Sequence, residues 1–205
     1  MDIAIVGANR TSITFAEKLF EAGHHVFVSA ISKEEEKEIK SYFSYEDSII
    51  FCSLEDAALA ADIIIIATDP SCIREVAYRI DDVRDKIVID ATEILAAKSE
   101  SGINTLNAAR AITGSQHIVK CFSCKEYHSP LHAFYKDSLI DIFIAGDSKK
   151  AKATVQLLAR DIGYTDCYDF GGNETLPMLE DMARCMISFA KHTSAFDLDL
   201  KLLDK

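Results

Sequence analysis

Asp2-Ile3-Ala4-Ile5-Val6-Gly7-Ala8-Asn9-Arg10-Thr11-Ser12 is the stretch whose reading decides the fold. Its first five residues, rich in β-branched side chains, have the composition of a strand buried on both faces. Gly7 ends that strand. Gly7 to Ser12 stands in the place of a G-x-G-x-x-G turn, and Ile13, Phe15, Ala16, Leu19 and Phe20 then form the stripe of an amphipathic helix. Gly23 closes the helix, and His25 to Ser29 is the next strand. Backbone N–H groups at such a helix start, with the helix dipole behind them, attract a pyrophosphate. Only the first glycine is present here. Asn9 stands where the backbone must come close to a ligand, and Ser12 where helix and strand pack. Asn tolerates left-handed φ and Ser is small, so a dinucleotide site and a bare strand-helix joint both remain open. Gly7, Asn9, Arg10, Thr11 and Ser12 are the first candidate binding residues.

Strand and helix patterns go on alternating after this unit. Lys33 to Phe43 reads as a charged helix with Ile39 and Phe43 inward, Ile49 to Cys52 as a strand and Leu54 to Ala60 as a short helix. Ile63-Ile64-Ile65-Ile66-Ala67 is the most apolar run and a candidate for the sheet centre. Pro70 opens the next helix, which Ile73, Val76, Ala77 and Ile80 carry inward. Ile87 to Asp90, His117 to Phe122 and Asp141 to Ala145 are further strands, and Thr165 to Asp169 is an edge strand. Helices fill Ile103 to Ile112 and Lys149 to Ile162, while Gly171-Gly172 reads as a break. A long helix from about residue 174 to 192 follows, with Leu176, Leu179, Met182, Met186 and Ile187 on its apolar stripe. The pattern predicts an α/β chain, a Rossmann-type doubly wound and mostly parallel sheet with a C-terminal helical extension, in one domain over residues 1–205.

The composition narrows the partners. A net charge of −11 over 205 residues argues against nucleic acid or an anionic membrane, either of which needs a basic face. No apolar run approaches the roughly 18 to 20 residues that span a bilayer, and the first residues form a strand pattern rather than a signal peptide. A cytoplasmic chain is expected, with its six cysteines reduced. Cys121 and Cys124 with His128 and His132 suggest a zinc site, but their spacing matches no known finger, and no metal site is expected.

Several segments together resemble the NADPH:coenzyme F420 oxidoreductase family, to which the cytosolic reductase domain of STEAP-type metalloreductases is kin. They are Asp62 to Pro70, Lys86 to Thr92, Val119 to Phe122, Gly146-Asp147-Ser148-Lys149-Lys150-Ala151-Lys152, and Leu157 to Gly163 with the Asp169 to Gly172 turn. The Gly-Asp-Ser-x-x-Ala-Lys segment is the most specific of these. The resemblance implies a Rossmann fold that binds NADP(H) near Gly7 and sets a deazaflavin, a flavin or another small hydride acceptor against the nicotinamide. It also implies a homodimer. Hydride passes directly between two such rings, so positioning does the work and no catalytic side chain is expected.

The departures from the family pattern bear on cofactor choice. Ser29 is kept, but Ala30 takes the place of the family's Arg for the 2′-phosphate. No Asp or Glu ends that strand to hold an NAD ribose, because the run Glu34-Glu35-Glu36 begins later and reads as a solvated helix start. Ser29, Ser32 and Lys33 are the candidates for the phosphate, which favours NADP over NAD. Thr68, Asp69, Pro70 and Thr92 stand where the family places groups beside the nicotinamide, Asp69 being equally suited to cap the helix that Pro70 starts. Phe122 and Ser123 are expected to wall the acceptor slot. The alternative to an NAD(P)-dependent oxidoreductase is a dinucleotide-binding sensor without turnover, suggested by the missing glycines and Arg.

Overall fold

The computed structural model describes residues 1–42, 49–92, 104–122 and 141–193. Eight strands form one sheet: β1 (Asp2–Val6), β2 (His25–Ser29), β3 (Ile49–Phe51), β4 (Ile63–Ile66), β5 (Ile87–Asp90), β6 (His117–Lys120), β7 (Asp141–Ala145) and β8 (Asp166–Gly171). Their order is β3-β2-β1-β4-β5-β6-β7-β8. The first six strands are parallel, β7 runs antiparallel to β6, and β8 is parallel to β7. The fold is the expected mostly parallel Rossmann type, and the isoleucine strand β4 lies in the middle of the sheet as its composition requires. Each of its four isoleucines is buried, and each contributes about 1.5–3 kcal/mol.

Helices cover both faces. On one side α1 (Arg10–Glu21), α2 (Lys33–Tyr42) and α6 (Lys149–Ile162) pack Phe15, Leu19, Ile39, Val155 and Leu158 against Ile3, Ile5, Ile65 and Ile89. On the other, α3 (Leu54–Ala60), α4 (Ile73–Arg79), α5 (Thr105–Thr113) and the C-terminal α7 (Leu176–Thr193) meet Ala4, Ile64, Ile66 and Val88. Side-chain caps start many of the helices: Asn9, Ser53, Asn104 and Ser148 each accept an N–H from the first turn. Gly114 and Gly163, in left-handed conformation, end α5 and α6.

Apart from shifts of one or two residues at other ends, the structure departs from the sequence pattern as follows. Pro70 starts a short 3₁₀ turn, Pro70–Cys72, which leads into α4. Strand β6 stops at Lys120, and Phe122 turns the chain with φ of +59°. Gly171 is the last residue of β8 rather than a break after an earlier end. The stripe of α7 is turned inward, where Leu176, Leu179 and Ile187 are buried, while Met178 and Phe189 remain 65% and 58% exposed. Phe43, Ser123, Cys124, His128 and His132 lie outside the described residues. Among the described residues no helix is long and apolar enough to cross a membrane.

Candidate functional site

The strand order reverses between β1 and β4. The chain leaves β1 for a helix on one face and β4 for a helix on the other, so a crevice is open to a ligand at the carboxyl ends of these two strands. Gly7 stands at this point with φ of +142°, and a Cβ there would lie 2.2 Å from the Ala67 carbonyl oxygen at the end of β4. The glycine is therefore demanded first by the approach of two strands, before any ligand is considered.

Asn9 does not use the left-handed conformation that Asn tolerates. Its φ of −98° is extended, and its side chain makes it the cap of α1, with Oδ1 accepting the Ser12 N–H at 2.9 Å. Nδ2 donates to the Ala67 carbonyl at 2.7 Å, so the amide bridges the switch point. Ser12 is fully buried and donates from Oγ to the Asn9 carbonyl at 2.7 Å, within the first turn of α1. Among the described residues no hydrogen bond uses the N–H of Arg10 or Thr11. The helix start thus keeps donors for an anion, with the exposed Arg10 beside them.

After β2, Ser29 is 2% exposed and its hydroxyl donates to the Ala30 carbonyl. Ser32 starts α2 by accepting the Glu35 N–H, and Lys33 is exposed. After β4, Thr68 is buried. Asp69 caps the 3₁₀ turn, Oδ1 accepting the Ser71 N–H at 2.8 Å and its hydroxyl at 2.6 Å. Of the two readings of Asp69, capping is the one that the geometry shows. Burial pushes the neighbouring Cys72 thiol up; a hydrogen bond with Ser71 opposes this, and the charges of Asp69, Glu35 and Glu75 reinforce it.

Thr92 belongs to a buried polar cluster that the sequence did not disclose. Lys120 Nζ donates to Asp90 Oδ2 at 3.1 Å, to Thr92 Oγ1 at 3.2 Å and to Thr105 Oγ1 at 3.1 Å, so the ammonium is satisfied by three oxygens. Thr92 and Thr105 donate in turn to Asp90 at 2.6 and 2.5 Å. Asp90 and Thr92 are fully buried and Lys120 is 1% exposed. The available signal was a charged residue closing each of two apolar runs, Ile87-Val88-Ile89-Asp90 and Ile118-Val119-Lys120, since Lys and Asp are almost never fully buried unless paired. The cluster ties β5, β6 and the start of α5 together beside the crevice.

Phe122 corrects the reading of the slot wall. It is 2% exposed, and its ring packs against Phe15 at 5.2 Å and Tyr164 at 6.0 Å between centroids, inside the core rather than on an open slot. The positive φ turns the side chain away from the direction that a continued strand would give it. Ser123, its expected neighbour in the wall, is outside the described residues.

Comparisons with known proteins agree with this geometry. Residues 2–94 match the model of the family described as NADP oxidoreductase, coenzyme F420-dependent. Among solved structures, a protein provisionally assigned as an F420-dependent NADP reductase, from Arthrobacter sp. FB24, has a TM-score of 0.83 at 18% identity, with 100% of each chain covered. A hypothetical protein from Sinorhizobium meliloti follows at 0.68 and 20% identity, covering 84% of this chain and 85% of that one. Pyrroline carboxylate reductase from Plasmodium falciparum, solved with NADP bound, gives 0.61 at 13% identity, over 94% of this chain and 66% of that one. No curated protein matches. At these identities the solved structures show a shared Rossmann fold. The family match spans β1 to β5 with the whole β1/β4 crevice, and the resemblance read from the sequence is borne out there: residues 2–94 are matched to the coenzyme F420-dependent NADP oxidoreductases.

Proposed function

We propose that this chain is an NADP(H)-dependent oxidoreductase that passes a hydride between the nicotinamide and a deazaflavin or flavin. The observation that carries the reading is the β1/β4 switch point, where Gly7 and Asn9 shape the crevice and the N–H groups of Arg10 and Thr11 are left as donors at the start of α1. These residues fit a pyrophosphate: two N–H groups without a partner among the described residues, a helix dipole and a nearby guanidinium all favour an anion. Ser32 and Lys33 would stand toward the adenosine end, and Thr68, Pro70 and Thr92 toward the nicotinamide end. The bound dinucleotide supplies the hydride chemistry.

What the protein does is position and exclude. Asp90, Lys120 and Thr105 hold Thr92 in one place, and a fully satisfied buried network resists displacement. Asp69 and Phe122 are committed to Ser71 and to the core rather than to the acceptor space. No acid, base or nucleophile is assigned, since direct transfer between stacked rings asks for orientation alone. The chain works in the cytoplasm as one Rossmann domain and pairs with a second copy, for which the exposed Met178 and Phe189 of α7 offer apolar contact.

Oxidation of NADPH, followed with and without added deazaflavin or flavin, tests the reading. Acceptor-dependent oxidation is expected. Tight NADPH binding with no turnover on any of these acceptors would assign the chain as a binding module instead.

A further inference from the structure

The parallel register lines up one residue from each strand in the row that meets the crevice: Ser29 of β2, Val6 of β1, Ile66 of β4, Asp90 of β5 and Lys120 of β6. The first three are uncharged. The last two bring a carboxylate and an ammonium side by side, both buried. Apolar residues of similar volume would fill these positions without the cost of desolvating two charges, so such a pair is weak evidence for stability alone. Its charges need another explanation.

The sheet sets the order of the two charges. Asp90 belongs to β5, which adjoins β4 and the crevice, whereas Lys120 belongs to β6, one strand spacing of about 4.8 Å further out. Asp90 Oδ1 accepts the Thr92 N–H at 3.0 Å and the Thr92 hydroxyl at 2.6 Å, while Oδ2 accepts Thr105 Oγ1 at 2.5 Å and Lys120 Nζ at 3.1 Å. One carboxylate oxygen is thus turned to Thr92 and the other to α5 and the ammonium. The negative pole lies on the side of the crevice, and buried charges are screened little. In the dinucleotide reading above, on which this inference rests and which it deepens, Thr92 stands toward the nicotinamide. An oxidised nicotinamide carries a positive ring charge that the reduced one lacks. We propose that Asp90, with Lys120 behind it, sets the redox preference of the crevice, the nearer carboxylate favouring the cationic ring of NADP⁺ over the neutral ring of NADPH. Tighter binding of the oxidised form lowers the potential of the bound cofactor and makes it the stronger hydride donor. The side chains of the pair are spent on one another and on the two threonines, so they act through their field rather than by contact.

Affinities of the full chain for NADP⁺ and NADPH are measured by calorimetry, and the readout is their ratio, because a site that is merely loosened loses both forms together. The wild type is expected to bind NADP⁺ more tightly than NADPH. Asp90→Asn keeps the shape and leaves Lys120 as the uncompensated charge, so the NADP⁺-to-NADPH affinity ratio is expected to fall about tenfold. Asp90→Val combined with Lys120→Met removes both poles, for an expected fall of about threefold. Thr105→Val takes one hydroxyl from the same cluster and keeps both charges, and the ratio should stay within about twofold of the wild type. A wild type that binds NADPH more tightly, an unchanged or rising ratio in Asp90→Asn, or an equal fall in Thr105→Val overturns the proposal and leaves the dinucleotide reading standing. Failure of the wild type to bind either form overturns that reading, and the proposal with it.

Discussion

The two sides of the crevice are built on opposite principles. At β1 and β4, backbone does the work: a glycine lets two strands approach, one amide bridges them, and N–H groups are left unspent. At β5 and β6, side chains do it, through a lysine, an aspartate and two threonines that satisfy one another completely away from water. The first arrangement leaves donors for a charged ligand; the second leaves none and serves as a rigid wall. A site that must both grip an anion and hold a flat ring in register has use for each.

The sharpest way to break this contrast is Gly7→Val. A Cβ 2.2 Å from a backbone oxygen, at φ of +142°, cannot be relieved by a rotamer, so the variant is expected to yield no cooperatively folded protein by circular dichroism and thermal melting. A folded variant that had merely lost NADPH binding would mean that the glycine serves the ligand rather than the strands.

On the other side of the crevice, Lys120→Met leaves the Asp90 carboxylate buried without its cation and is expected to cost about 3–5 kcal/mol in urea unfolding. Combining it with Asp90→Val should recover much of that loss, since an apolar replacement of a buried pair is often close to neutral. Failure of the double variant to recover would show that the pair contributes beyond its own compensation.

Smaller effects follow where the groups are less buried. Asn9→Ala loses both the cap of α1 and the bridge to Ala67, for an expected cost of about 1–2 kcal/mol by the same measurement. Ala30→Arg, at the adenosine end, should raise the affinity for NADPH over NADH about tenfold by calorimetry, since a guanidinium engages phosphate bidentately.

The weakest expected effect comes from an ion pair at the sheet edge, which serves as a counterpart to the buried one. Burial tends to raise the Asp169 carboxyl, but the hydrogen bond and charge of Lys152 and the Gly171 N–H outweigh it and hold the group below its ordinary value of 3.8. A depressed carboxyl contributes stability above that value and loses it as pH falls through the lower folded-state value. Thermal melts of Asp169→Asn should therefore converge with those of the wild type as pH falls below 3.8 and through the lower folded-state value, and lie slightly below them at neutral pH, by no more than about 1 kcal/mol for so exposed a pair. A gap that widens on acidification would contradict the assignment.

Much of the fold was legible because it depends on apolar periodicity. The strands Asp2–Val6, His25–Ser29, Ile87–Asp90 and Asp141–Ala145 begin and end where their composition changes, and Gly163 stops α6 where a left-handed cap is needed. Errors gathered where the chain turns. The reading of Phe122 as a slot wall extended β6 by two residues, and a positive φ then sent the ring into the core. Asn9 was valued for a conformation it does not adopt, because the sequence shows its backbone freedom and hides the carbonyl its amide can reach.

The sequence by itself determined the succession of strands and helices and the mostly parallel sheet, since each follows from local propensity and from which residues must leave water. Only the tertiary structure decided which polar groups meet. Lys120 finds Asp90 across 30 positions, Arg79 finds the Ile31 carbonyl across 48, and Asn9 finds Ala67 across 58. Glu35, which reads in the chain as one more solvated acid, is directed at the loop it helps to hold. The physical reason is that hydrophobic burial is set by the face a residue occupies, which repeats along the chain, whereas a hydrogen bond needs a particular partner within about 3 Å, which only packing brings into place.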